Sequence, residues 1–229
     1  MTEKKSARPN SETAEREAIV AAAKAMSREN LSPGRSGNVS ARVDEHILIT
    51  PSALPYEEMM PADIVTLDRE GNAVSPTAVP SSEWRFHVAA LNARPDRAAV
   101  VHTHSRCATA LACCREPIPA FHYMVALAGA DTIPLVSYKL FGSQALADGV
   151  ASALIECDAC LLANHGVVAL GSTPAAALDL AREVEQLAEM YLLARSAGSP
   201  VILSAEEMSE VHARFATYGR RPTDHSAND

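Results

Sequence analysis

Short β-branched runs alternate with alanine-rich amphipathic stretches along almost the whole chain. No interior break in composition separates them. Mixed periods of this kind predict an α/β or α+β fold built as one unit. Apolar spacing predicts a helix over 13–30, and Ser32-Pro33-Gly34-Arg35-Ser36-Gly37-Asn38 is a turn-rich loop. Strands are expected at 39–43, 46–50 and 63–67, with Asp44-Glu45 turning between the first two. Further strands fall at 98–103, 132–136, 159–163 and 167–170. Helices fall at 82–93, 105–114, 143–155, 173–197 and 204–215. Thr173-Pro174 is a good start for the longest, because proline is tolerated at the first helical position. The polar ends, about 1–12 and 220–229, are expected to be flexible tails on one domain spanning 1–229.

Composition removes several function classes. With 229 residues, 48% of them hydrophobic and 21% charged, the chain can bury a large core and disorder is excluded as the default. No apolar run approaches the ~20 residues of a membrane helix, and no apolar segment follows Met1-Thr2-Glu3-Lys4-Lys5 as in a secretory signal. A net charge of −8 argues against a nucleic-acid partner. It also repels phosphorylated substrates, so any such ligand needs local donors. Five cysteines, two of them adjacent, make a poor disulfide framework. Cys157-Asp158-Ala159-Cys160 has CxxC spacing but no second pair to complete a thiolate site. Small buried thiols in a reducing cytoplasm are the expectation.

Three of the eight histidines stand out. His102-Thr103-His104 ends a strand, and residues two apart on a strand share a face, so both rings can converge on one ion. His165 ends a separate apolar strand, and Gly166 after it is expected to allow a sharp backbone turn. Three imidazoles with an open position form a catalytic zinc pattern, against the plain alternative of polar residues at strand ends. Cupin barrels also carry His-x-His, but there a Glu follows the pair within an all-β fold. Here the promising Glu83 precedes the pair, in Pro80-Ser81-Ser82-Glu83-Trp84-Arg85-Phe86-His87. That run marks a helix start, where a carboxylate ordinarily just complements the helix dipole. The functional alternative is a base beside the metal. Ser81 and Ser82 offer hydroxyls and free amides for an anion. Ser36-Gly37-Asn38 is a second anion candidate, with Gly37 expected to take an unusual backbone angle. Thr50-Pro51-Ser52-Ala53 is a third, if its loop folds over the site. His87 reads as structural, because a helix face is a poor place to meet the strand-borne pair.

These pieces, in this order and spacing, resemble the class II aldolase/adducin family. The likeness extends through Ile118-Pro119-Ala120-Phe121-His122-Tyr123-Met124, Glu183-Val184-Glu185 and Phe215-Ala216-Thr217-Tyr218-Gly219, from about 14 to 219. The resemblance implies a three-layer fold with a central, mostly antiparallel sheet between helices. It implies a metal-dependent aldehyde-lyase that cleaves a ketose 1-phosphate, L-fuculose 1-phosphate or a related deoxy or methylthio pentulose 1-phosphate. The products would be dihydroxyacetone phosphate and a short aldehyde. By that resemblance His102, His104, His165 and Glu83 hold Zn2+, with Mn2+ or Co2+ as other divalent options, and Glu83 is also the acid/base. Gly37, Asn38, Ser52, Ala53, Ser81 and Ser82 would bind the phosphate. Tyr123 would handle a proton in a neighbouring subunit's site, and Phe141, Phe215 and Tyr218 would shape the pocket. The family also implies a homotetramer with sites between subunits.

Where the family pattern has Thr-Pro-Thr-Gly, this chain has Thr50-Pro51-Ser52-Ala53. Alanine lacks glycine's easy access to positive φ, so a shifted phosphate loop is expected. Asn164 also stands where another histidine is usual. Sugar-phosphate epimerases, dehydratases and decarboxylases share the histidine set, and a non-catalytic adducin-like binding module is the alternative from another class. Imine chemistry needs an activated lysine. Of four lysines only Lys139 lies beyond the N-terminal region, which favours metal chemistry.

Overall fold

The computed structural model describes residues 9–74 and 78–217. The expected tails fall mostly outside that range, and Tyr218 lies outside it too. The first helix starts earlier than its apolar spacing indicates: α1 is Pro9–Arg28. Strands β1 (Asn38–Val43), β2 (His46–Ile49) and β3 (Val65–Leu67) follow, then helix α2 (Trp84–Ala93). Next come β4 (Ala99–Thr103), α3 (Arg106–Cys113), β5 (Leu135–Val136) and α4 (Gln144–Ala153). The hairpin β6 (Ala159–Leu162) and β7 (Gly166–Gly171) leads into α5 (Pro174–Ala197) and α6 (Ala205–Thr217). β5 is much shorter than its apolar run predicts, since only Leu135 and Val136 reach a partner strand. A 3-10 segment, Tyr123–Ala128, carries no periodic signal in the sequence.

The seven strands form one sheet in the order β3-β2-β1-β4-β7-β6-β5. Every pairing is antiparallel except β5 with β6. The central strands are buried on both faces, and side chains alternate between two cores as the two-residue period requires. Val39, Ala41, Val101, Val167 and Ala169 join α1, α3 and α5 on one side. Ile47, Ile49, Val100, Val168 and Leu170 join α2 and α4 on the other. The architecture is thus the expected three layers, helices on both faces of a mostly antiparallel sheet.

Register sets up one end of this sheet. Asn38 on β1 lies opposite His102 on β4, and His102 lies opposite Val168 on β7. Helix α3, directly after His104, is fixed at both ends. Glu185 of α5 accepts from the amides of Cys107 at 2.8 Å and Ala108 at 2.9 Å. At the other end the Ala112 carbonyl accepts from Asn164 N at 3.2 Å, holding the β6–β7 turn.

Two glycines act differently from the expectation. Neither Gly37 nor Gly166 has positive φ. The β6–β7 turn takes its left-handed residue from Asn164, at φ 54°. What the glycines supply is space. A Cβ on Gly166 would lie 2.2 Å from Thr103 O, and one on Gly37 would lie 2.6 Å from His102 O. Both flank the strand that carries the histidine pair. Gly166→Ala is therefore expected to destabilise the fold by about 3 kcal/mol, read from urea unfolding. A variant as stable as the parent would show that the strands can part at no cost.

Candidate metal centre and anion pocket

The end of the three central strands brings four side chains together. One donor atom each from Glu83, His102, His104 and His165 lies within 4.8 Å of every other. His102 on β4 and His104 one residue past its end converge as the two-residue spacing predicts, with His102 Nε2 2.9 Å from His104 Nε2. His165 enters from the turn before β7, its ring 4.9 Å from each of the other two between centroids. Glu83 sits just before α2, Oε2 lying 3.2 Å from His102 Nε2 and Oε1 3.0 Å from His165 Nε2.

The chemistry of this donor set fits a divalent cation. His102 Nδ1 lies 2.8 Å from the Val167 carbonyl, which can only accept, so Nδ1 carries the hydrogen. In the neutral ring Nε2 is then a bare lone pair aimed into the cluster. Glu83 Oε1 is buried without a hydrogen-bond partner despite its nearness to His165. A buried acceptor left unpaired beside bare imidazole nitrogens is what a shared cation would satisfy. Burial alone would raise the Glu83 carboxyl. The adjoining His102 and His165 more than offset this and hold it well below the usual range. Burial pushes His104 down to about 3, with its histidine neighbours adding to the shift. Neutral rings and an ionised carboxylate are the protonation states that bind metal.

A cavity of about 340 Å³ opens beside the cluster. Of the residues expected at the phosphate, Gly37, Asn38, Ser52, Ala53, Ser81 and Ser82 all line it. The segment before α2 reaches the Thr50–Ala53 loop through backbone bonds. Ser52 N donates to Val79 O at 2.9 Å and Ser81 N to Thr50 O at 3.0 Å. Asn38 has an engagement that its sequence context did not show: Nδ2 donates to Glu83 Oε2 at 3.0 Å. Phe141 stands at the mouth, 62% exposed, its loop tied to α2 by Arg85 Nη1 donating to Gly142 O at 3.1 Å.

Ala53 contradicts the expected loss of positive φ. Its φ is 62°, so the left-handed geometry persists without glycine. The Arg35 guanidinium donates to the Ala53 carbonyl at 2.7 Å and helps to hold it there. Arg35, Tyr138, Lys139 and Asn164 also line the cavity and were missed by motif reasoning. The global charge of −8 was the available signal for Arg35 and Lys139, since an anion pocket in an acidic protein calls for local cations. Lys139 is exposed, the opposite of the desolvated environment that activates an imine-forming lysine.

Two expected residues do not reach this cavity within the chain. Tyr123 and Phe215 line a separate cleft between the 3-10 segment and α6. Cys157 and Cys160 are buried, burial pushing the first thiol up to about 11 and raising the second as well. Among the described residues the metal-competent group contains neither of them. No helix in the described residues is long and apolar enough to cross a membrane.

Comparison with known proteins converges on one family. Residues 17–192 match the family described as Class II Aldolase and Adducin N-terminal domain. A 5-methylthioribulose-1-phosphate/5-deoxyribulose-1-phosphate aldolase of Rhodospirillum rubrum is 46% identical over 211 residues, 92% of this chain and 95% of that protein. The L-fuculose phosphate aldolase of Escherichia coli strain K12 is 45% identical over 197 residues, covering 86% and 91%. A solved L-fuculose 1-phosphate aldolase superposes with a TM-score of 0.85 at 36% identity, covering 89% of this chain and 96% of that one.

Two outcomes follow from the geometry. A left-handed alanine costs about 1–2 kcal/mol relative to glycine, partly offset by glycine's freer unfolded chain. Ala53→Gly is thus expected to raise stability by roughly 0.5–1 kcal/mol in urea unfolding; a loss of stability would refute the strain. The second concerns His87, which burial pushes down from 6.5 to about 3. Below 6.5 the unfolded chain gains a proton that the folded chain refuses, so stability falls as pH drops from 6.5 toward 3. Between pH 7 and pH 5, His87→Gln should remove roughly 2 kcal/mol of that fall in the metal-free protein. An unchanged pH slope would refute it.

Proposed function

Since the chain belongs to the class II aldolase and adducin N-terminal domain family, we propose that it is a metal-dependent aldolase that cleaves a ketose 1-phosphate to dihydroxyacetone phosphate and a short aldehyde. The observation that carries this reading is the donor set of three imidazoles and one carboxylate, 4.8 Å across, beside an anion pocket. His102, His104, His165 and Glu83 hold the ion, zinc by preference for three nitrogens and an oxygen, with Mn2+ or Co2+ as substitutes. The bound ion supplies Lewis acidity, an electron sink at the ketose carbonyl.

The remaining steps belong to side chains. Gly37, Asn38, Ser52, Ala53, Ser81 and Ser82 grip the phosphate and fix the register of the sugar over the cluster. The C3–C4 bond breaks, its electron pair staying on C3. Glu83 takes up a proton from water and delivers it to C3, giving dihydroxyacetone phosphate, and removes it in the reverse direction. The C4 hydroxyl loses its proton as the aldehyde forms, and Tyr123 relays that proton to water, so the net change is one proton moved from O4 to C3 and both side chains return to their starting states. Tyr123 is 47% exposed on an apolar cleft away from its own chain's cluster, which supports service to a neighbouring subunit in a homotetramer. Phe141 and Tyr138 at the cavity mouth give the aldehyde half an aromatic wall, with Phe215 and Tyr218 expected to complete it. L-fuculose 1-phosphate and 5-deoxy or 5-methylthio pentulose 1-phosphates are the substrates to test, because the similar proteins carry these names. A single domain acting in the cytoplasm fits five cysteines that all stay free thiols, although only Cys157 and Cys160 are buried as expected and Cys113 and Cys114 are exposed.

Glu83→Gln is expected to retain zinc but lose about 10²- to 10⁴-fold in turnover. Metal analysis and trapping of dihydroxyacetone phosphate read the two effects separately, and undiminished turnover would defeat the acid/base role. A chelator should abolish cleavage of all three sugars. Formation of a diketone without triose would instead identify a dehydratase, and a chain that takes up no divalent ion would favour the binding module.

A further inference from the structure

Behind the cluster lies a line of polar side chains that the proposed chemistry leaves unused. His87 is fully buried on the side of α2 facing the sheet. Its Nε2 lies 2.5 Å from Asn38 Oδ1, and its Nδ1 lies 2.7 Å from Ser40 Oγ. An amide oxygen only accepts, so Nε2 bears the ring hydrogen and donates it. Nδ1 is then a lone pair that accepts the Ser40 hydroxyl. Asn38 in turn donates from Nδ2 to Glu83 Oε2 at 3.0 Å. The bonds run in one direction, from Ser40 through His87 and Asn38 to Glu83. Ser40 and Asn38 are two residues apart on β1 and share a face. His87 bridges them from one helical turn beyond Glu83.

We infer that His87 is a positioning residue that holds the Asn38 side-chain amide by its oxygen, keeping the NH2 group toward Glu83 and the anion pocket. The inference rests on the aldolase reading, which gives Glu83 its role. The two ends of an asparagine amide are nearly equal in shape, so packing alone does not choose between them. The Glu83 carboxylate, which only accepts, draws the NH2 end, and the hydrogen on His87 Nε2 then holds the oxygen end in place. With the amide reversed, an N–H would meet the His87 N–H, and the amide oxygen would face the Glu83 carboxylate. In the observed setting one N–H serves Glu83, and the second is left for the cavity that Asn38 lines. One amide thereby links the anion pocket to the acid/base. Ser40 Oγ can donate or accept, and with the hydrogen on Nε2 it donates to Nδ1.

Two variants separate hydrogen bonding from packing. His87→Phe keeps a flat ring without a donor, whereas His87→Gln keeps a donor near the same place. Zinc affinity of the metal-free protein is measured by competition with a chromogenic chelator. Inorganic phosphate affinity of the zinc-loaded protein is measured by calorimetry. His87→Phe is expected to weaken both by about 10- to 100-fold, the usual effect of losing an outer partner, and His87→Gln to recover most of the loss. Wild-type affinities in His87→Phe, or a Gln variant as weak as the Phe variant, would overturn the inference. If His87→Phe does not fold, the wild-type protein decides. A nitrogen-15 imidazole spectrum should show His87 protonated on Nε2 at neutral pH, and protonation on Nδ1 would overturn the assignment. A wild-type chain that binds no divalent ion would defeat the aldolase reading instead, while the spectrum would still judge the ring.

Discussion

The bond between His102 Nδ1 and the Val167 carbonyl joins β4 to β7 through a side chain, and it decides the electronic character of the cluster. A backbone carbonyl cannot donate, so it dictates which nitrogen of His102 faces the other three groups. That bond exists only because β7 approaches β4 closely, and the approach is possible only because residue 166 has no side chain. Strand register, glycine placement and ring tautomer therefore form one causal sequence. The metal-competent geometry is a consequence of sheet packing, reached before any cation is considered.

Much of this architecture was legible in the sequence because periodicity reports which face a side chain takes. The two-residue spacing of His102 and His104 fixes a common face in any strand, and their neighbours Val100 and Val101 made the strand plain. His165 was readable as a strand-end residue beside a glycine. What periodicity does not report is how closely two separate backbones approach. Gly37 and Gly166 looked like sources of unusual angles, yet each serves to admit His102 or Thr103 from the next strand. The left-handed angle went instead to Asn164 and Ala53. Local propensity does not show that Arg35 holds the Ala53 carbonyl from eighteen positions away. The same limit hid the bond from Asn38 to Glu83, whose donor and acceptor sit on different layers.

Electrostatics reconcile an acidic chain with the proposed anion pocket. Most of the donors around the cavity are neutral amides and hydroxyls, which gain strength from low surrounding dielectric without adding a permanent charge. Arg35 and Lys139 at the margin supply positive charge where solvent can still reach it, so neither bears the cost of full burial. Specific grip and long-range attraction are thus divided between different residues.

The clamps on α3 carry a mechanical meaning. Glu185 locks the start of that helix just after His104, and its far end holds the turn that presents His165. All three imidazoles therefore stand on backbone braced from two sides. Glu83 stands elsewhere, at the non-helical residue that caps α2, its carbonyl accepting from Phe86 N at 3.2 Å and its amide donating to Ser81 Oγ at 3.3 Å. The carboxylate is the one donor of the four that the sheet end does not carry. Three nitrogens on one braced frame and an oxygen on a separate arm would let an incoming ligand replace that oxygen on a bound cation without disturbing the nitrogens.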